Sequence, residues 1–165
     1  MKKIIQLFFL LLFTFTVVAQ DTSNKSSAGG PATAKELVGF WKMIPLPNPS
    51  VNKVNPWPQP YQWFEFTEDG KVYSMMVSSN KEYSKQELRK AFDVFPKKRV
   101  PNYKMYGAFV IIDNPEIKNY LEIWGTNIFA KNIDGIAQKG DLMLTLDDGT
   151  QTGKVVYYRL LRRIN

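Results

Sequence analysis

The chain contains no cysteine and no histidine. Without cysteine, no disulfide can staple the fold and no lipid can be attached at a cleavage-site thiol, so stability has to come from packing. Without histidine, the commonest metal ligand and the usual general base at neutral pH are both missing. A zinc or copper site would have to be built from carboxylates alone, and neither a metal nor a cofactor is expected. No serine lies in a nucleophile-elbow context, no nucleophile-base pair is available, and no glycine pattern would cradle a phosphate. Catalysis is left to carboxylate, lysine or tyrosine chemistry, which makes a non-enzymatic role the first expectation.

An apolar run of membrane-spanning length is lacking too. Ile4 to Val18 is interrupted by Gln6 and stops short of the roughly 20 residues a spanning helix needs. It follows Lys2 and Lys3 and ends in Val17-Val18-Ala19, which is the order of a secretory signal. Residues 1–19 are therefore read as a signal peptide cleaved after Ala19, leaving no transmembrane anchor and an exported product, periplasmic or secreted. Of the 165 residues 146 would remain, enough for one domain with a real core. The signal removes two lysines, so the net charge falls from +7 to +5. That is basic, but far from a dedicated nucleic-acid binder.

Residues 20–34 are small and polar, and are expected to form a flexible tether ahead of a domain spanning 35–165. Near Lys35 a short helical lead-in should give way to a first strand that begins with Gly39-Phe40-Trp41 and that Pro45 ends. Six prolines between Pro45 and Pro60 exclude a helix or a central strand there, leaving a long loop suited to flanking a site. Tyr61 to Phe66 and Lys71 to Val77 alternate around Thr67-Glu68-Asp69-Gly70, a hairpin signature. Ser84-Lys85-Gln86-Glu87 fits a capping box, so a helix is expected from Lys85 to about Asp93 with Leu88, Ala91 and Phe92 on one face. Further strands read as Tyr103 to Asp113, Ile117 to Thr126, Asp141 to Asp147 and Lys154 to Arg162. Phe64, Phe66, Leu142, Leu144, Leu146 and Leu160 are the expected core. The fold class is mostly β: seven to eight antiparallel strands in up-and-down order with one short inserted helix, closed into a barrel or strongly curled. A two-sheet sandwich is the alternative.

Gly39-Phe40-Trp41 at the first strand, together with Tyr157-Tyr158-Arg159-Leu160-Leu161-Arg162 near the end, resembles the calycin superfamily of lipocalins and fatty-acid-binding proteins. The resemblance extends loosely over the whole domain and lies closest to small exported lipocalin-like proteins. It implies a barrel whose tryptophan plugs one end while an arginine from the last strand lies across the ring and caps exposed backbone. By position those roles fall to Gly39, Trp41 and Arg162, with Arg159 as second candidate. The long proline loop and the inserted basic helix depart from the pattern.

The aromatics Trp63, Tyr73, Tyr106, Tyr120, Trp124 and Tyr158, joined by Glu122, are the candidate lining of a ligand cup. They could equally lie on outward pleats or fill a solid barrel, because period-two alternation does not say which face is inside. Leu121 and Ile123 make the better inner face by polarity, which would put Glu122 outside. A buried Glu122 would instead have its pKa raised by desolvation and could hold a polar ligand group. Lys97, Lys98, Arg99 and Lys104, with Lys85, Arg89 and Lys90, form the densest positive region, suited to an anionic ligand, an acidic glycan or a membrane surface. Interleaved Glu82, Glu87 and Asp93 favour a plain solvated face. The expected function is binding of a small apolar or amphipathic ligand. The alternative is an interaction protein docking on an envelope protein or an acidic surface polymer through its basic or proline-rich loops. An enzyme using Glu122 or Glu65 with a tyrosine comes last.

Overall fold

The computed structural model describes residues 29–46, 48, 59–118, 121–147 and 154–165. It is mostly β. In chain order come β1 (Gly29–Gly30), α1 (Ala34–Leu37), β2 (Gly39–Ile44), β3 (Tyr61–Phe66), β4 (Val72–Val77), α2 (Lys85–Phe92), β5 (Asn102–Tyr106), β6 (Phe109–Asp113), β7 (Leu121–Phe129), β8 (Leu142–Asp147) and β9 (Val155–Arg163). One antiparallel sheet runs β4-β3-β2-β9-β8-β7-β6-β5, with β1 paired on β7. The sheet curls into a half-barrel. Its outer strands approach at one bridge, Lys71 with Asn102, where the Tyr103 N–H donates to the Gly70 carbonyl at 2.7 Å.

Several expectations need correction. Tyr103 to Asp113 is not one strand but the hairpin β5–β6, broken where Gly107 takes φ +57°. An unbroken strand would carry its side chains past the end of the sheet, whereas the turn folds them back into register with β7. Described structure also precedes Lys35: Gly29 and Gly30 pair with Phe129 and Ile128, and Ala32 is buried. Residues small enough to lie flat against a neighbouring strand look like a tether in a composition reading. The rest of the expected tether, residues 20–28, the signal segment and most of the proline loop lie outside the described residues.

The hairpin at Asp69-Gly70 and the helix after Ser84 form as expected. Thr67 N–H donates to the Lys71 carbonyl at 2.9 Å. Ser84 Oγ accepts from Glu87 N–H at 3.2 Å while Glu87 Oε2 accepts from Ser84 N–H at 2.8 Å, satisfying donors that a helix start leaves open. A second such box, Thr33 with Glu36, starts α1.

Register fixes which face is inside. Trp41 pairs with Phe64, Leu144 with Arg159, Thr126 with Leu144 and Val110 with Trp124, and directly opposed residues share a face. The inner core therefore holds Trp41, Phe64, Phe66, Val110, Trp124, Leu142, Leu144 and Leu161. Turning Trp124, Thr126 and Ile128 inward forces Glu122 inward by the two-residue period. Leu121 and Ile123 are then exposed on the outer face, opposite to the polarity expectation. Burying one large indole with Ile128 outweighs hiding two aliphatic side chains near the start of the strand.

A second, smaller core lies outside the sheet. There α2 lays Leu88 and Phe92 over Trp63, with Phe40, Tyr73 and Tyr83 packed around them.

Candidate functional site

One end of the curl is shut by α1 and the last turn of β9. Trp41 is fully buried and its Nε1 donates to the Leu37 carbonyl at 2.8 Å. The guanidinium of Arg163 lies 4.3 Å from the Trp41 ring centroid, donates to the Val38 carbonyl at 2.7 Å and also donates to the Glu36 carbonyl. Both carbonyls lie at the end of α1, which has no following turn to satisfy them. Burial pulls the Arg163 pKa below its ordinary value, opposed by nearby Glu36. The arginine across the tryptophan is therefore Arg163, not Arg162. Trp41 pairs directly with Arg163, and a one-residue slip would turn the cation to the other face. Arg162 points outward to a bidentate contact with Asp141, at 3.0 and 2.8 Å, which raises its pKa. Gly39, at φ +131°, sits where a Cβ would come within 2.5 Å of Arg163 Nη1.

Arg159, two pleats further along β9 on the same inner face, is 4% exposed. Its guanidinium carbon lies 4.6 Å from the Trp124 ring, 5.2 Å from Phe64 and 5.7 Å from Tyr157. Beside this cage Trp124 Nε1 donates to Glu122 Oε2 at 2.8 Å, and buried Gln62 lies on the same inner face through the register of β3. A fixed cation walled by aromatic faces suits an anionic group, because the rings hold the guanidinium flat and exclude competing water.

The inner face opens to solvent beside β4. Ser74 shares the inner face with its partner Phe64, yet it is exposed. A cavity of about 290 Å³ lies there, lined among others by Val72, Ser74, Phe95, Pro96, Arg99 and Glu116. Arg99, on the 3-10 turn Lys97–Arg99, forms an ion pair with Glu116 on the β6–β7 connection. That pair spans the lip of the opening. Phe64 pairs with Ser74 across the ladder and also forms part of the Arg159 cage, but it is buried and does not itself line the cavity.

The expected cup residues are dispersed. Glu122 and Trp124 meet on the inner face. Trp63 and Tyr73 lie on the outer face under α2, where Trp63 meets Tyr83 edge-on at 5.0 Å and Tyr73 stacks on Phe92 at 5.5 Å. Tyr106 is 77% exposed on β5, Tyr158 lies on the outer face opposite Thr145, and Tyr120 lies outside the described residues. Sequence reasoning had Arg159 only as second candidate to cover Trp41, not as the centre of an aromatic cage, and missed the β4 opening altogether. The signal for the first was present, an arginine at an inner position between Tyr157 and Leu161. The second depends on two strand edges parting, which no local pattern encodes.

Under α2, Glu65 is 3% exposed and forms an ion pair with Arg89. Burial pushes its pKa above the usual carboxylate value, with Arg89 opposing.

Compared with protein-family models, curated proteins and solved structures, the chain matches none of them.

Proposed function

We propose that this chain is an exported, lipocalin-like binding protein for a small amphipathic molecule with an anionic head. The ligand enters beside β4, rests its apolar part against Val72, and brings its head to Arg159. The observation that carries this reading is the guanidinium of Arg159, held inside the curl among three aromatic rings, one of which, Phe64, pairs with the exposed Ser74. A cavity of about 290 Å³ lies at the small end of the range for ligand pockets, so the ligand is short. The resemblance of Gly39-Phe40-Trp41 and the last strand to the calycin pattern supports the same assignment by analogy.

Titration with a medium-chain carboxylic acid and with the alcohol of equal length, followed by tryptophan fluorescence, tests it. The acid should bind and the alcohol should bind at least about tenfold more weakly, the cost of losing one charge-assisted contact. Equal affinities for the two would remove Arg159 from the account. A second reading, docking on another envelope protein, is favoured by Tyr106, Phe109, Leu121 and Ile123, all exposed on the outer face of β5–β7. It gains weight if neither probe binds.

A further inference from the structure

The segment from α2 to the 3-10 turn combines two features that seldom coincide on a plain solvated surface. At its tip Val94 is 77% exposed and Phe95 45% exposed, consecutive apolar side chains just beyond the last turn of the helix. Lys90, Lys97 and Lys98 flank them in the chain and Lys85 stands at the start of the helix, all exposed, and among the described residues no ion pair engages these four. The other two cations of the segment are committed, Arg89 to Glu65 and Arg99 to Glu116. Of its acids, Glu87 is held by Ser84 and Lys81, which leaves Asp93 as the one acid beside the tip. An exposed apolar pair alone would call for no explanation, and a basic patch alone would suit any polyanion. Together they match an anionic lipid surface, where the apolar tip enters the boundary between headgroups and acyl chains and the surrounding lysines meet lipid phosphates.

We infer that residues 85–99 dock this protein on an anionic lipid bilayer, with Val94 and Phe95 inserted and Lys90, Lys97 and Lys98 on the headgroups. Phe95, Pro96 and Arg99 also line the opening beside β4, so docking brings that opening to the membrane. The inference does not rest on the ligand reading. Arg159→Met, which tests that reading, should dock as the unaltered chain does.

The test is flotation of the exported chain with vesicles of phosphatidylcholine alone and of phosphatidylcholine with phosphatidylglycerol, at low and high salt. The chain should float with the anionic vesicles and be released by salt. K97Q/K98Q should weaken partitioning roughly 30-fold, at about fivefold for each lysine near the surface. V94S/F95S should weaken it by about tenfold or more, from the lost apolar burial. K131Q/K139Q, which removes the same net charge from exposed positions elsewhere, should leave partitioning nearly unchanged. All four changed positions in the segment are exposed, so the variants should fold, as far-UV circular dichroism will show. Three results would each overturn the inference: no flotation with anionic vesicles, an equal loss for K131Q/K139Q, or no loss for V94S/F95S. The last would reduce the patch to a site for acidic polymers, and retention on a heparin column would then follow the lysines alone.

Discussion

Replacing Arg163 with methionine should destabilise the fold by about 3 kcal/mol. The side chain lies 4.3 Å from the ring of a fully buried tryptophan, a contact worth up to about 2 kcal/mol when desolvated. It also donates to the carbonyls of Glu36 and Val38, and hydrogen bonds from a charged group contribute about 1.5 kcal/mol each at the lower end. Arg163 is half-buried, so water recovers part of this sum, and methionine retains much of the apolar contact. For a domain of this size, about 3 kcal/mol corresponds to a drop in Tm of about 10 °C. Urea unfolding followed by tryptophan fluorescence should show the midpoint falling with an unchanged slope. Arg163→Lys should recover only part of the loss, since an ammonium cannot stack flat or fork between two carbonyls. In a double-mutant cycle with Trp41→Leu the two sites should couple by about 1 to 2 kcal/mol. A loss below about 0.5 kcal/mol for Arg163→Met would refute the view that this residue closes the end of the curl.

Three further outcomes follow from the same geometry. Gly39→Ala should cost about 2 kcal/mol in the same assay, because φ +131° strains any L side chain and the new Cβ meets Arg163 Nη1 at 2.5 Å. Ser84→Ala should cost about 1 kcal/mol and fray α2, read as faster amide exchange at Gln86 and Glu87. Glu65 should make the fold pH-sensitive. Its folded pKa lies above the ordinary 4.5, chiefly through desolvation, so the folded state binds the proton more tightly than the unfolded chain and stability from this group declines as pH rises through the folded pKa. Glu65→Gln should abolish that decline, and unfolding curves across pH 4 to 8 that run parallel for the two proteins would contradict it.

The elements whose logic is local were legible in the sequence. The Asp69-Gly70 hairpin, the Ser84 capping box and the order of antiparallel strands all follow from residues within a few positions of one another. The core leucines did too, with Leu142, Leu144 and Leu160 buried and Leu146 packed against the inner cluster that holds the first two. Where the outcome hinged on pairing across the sheet, the sequence was ambiguous. Arg162 and Arg163 are adjacent, and only the register against Trp41 decides which of them stacks on it. Leu121 and Ile123 have the polarity of inner residues, but the strand cannot turn them in without turning Trp124 out. Trp63 and Tyr73 have the composition of a pocket lining, and it is α2, packed on the outer face, that makes them a second core. The opening beside β4 arises where β4 and β5 part beyond the Lys71–Asn102 bridge, a property of sheet curvature rather than of any segment.

If the proposed function is right, Arg159 holds an anionic amphiphile inside the curl. Native mass spectrometry of the chain purified from its own host, beside Arg159→Met prepared identically and followed by denaturing extraction, asks this directly. A stoichiometric small acid is expected on the unaltered protein and a bare mass on the variant. The same bound molecule on both proteins, or none on the unaltered one even after incubation with short fatty acids, would contradict it.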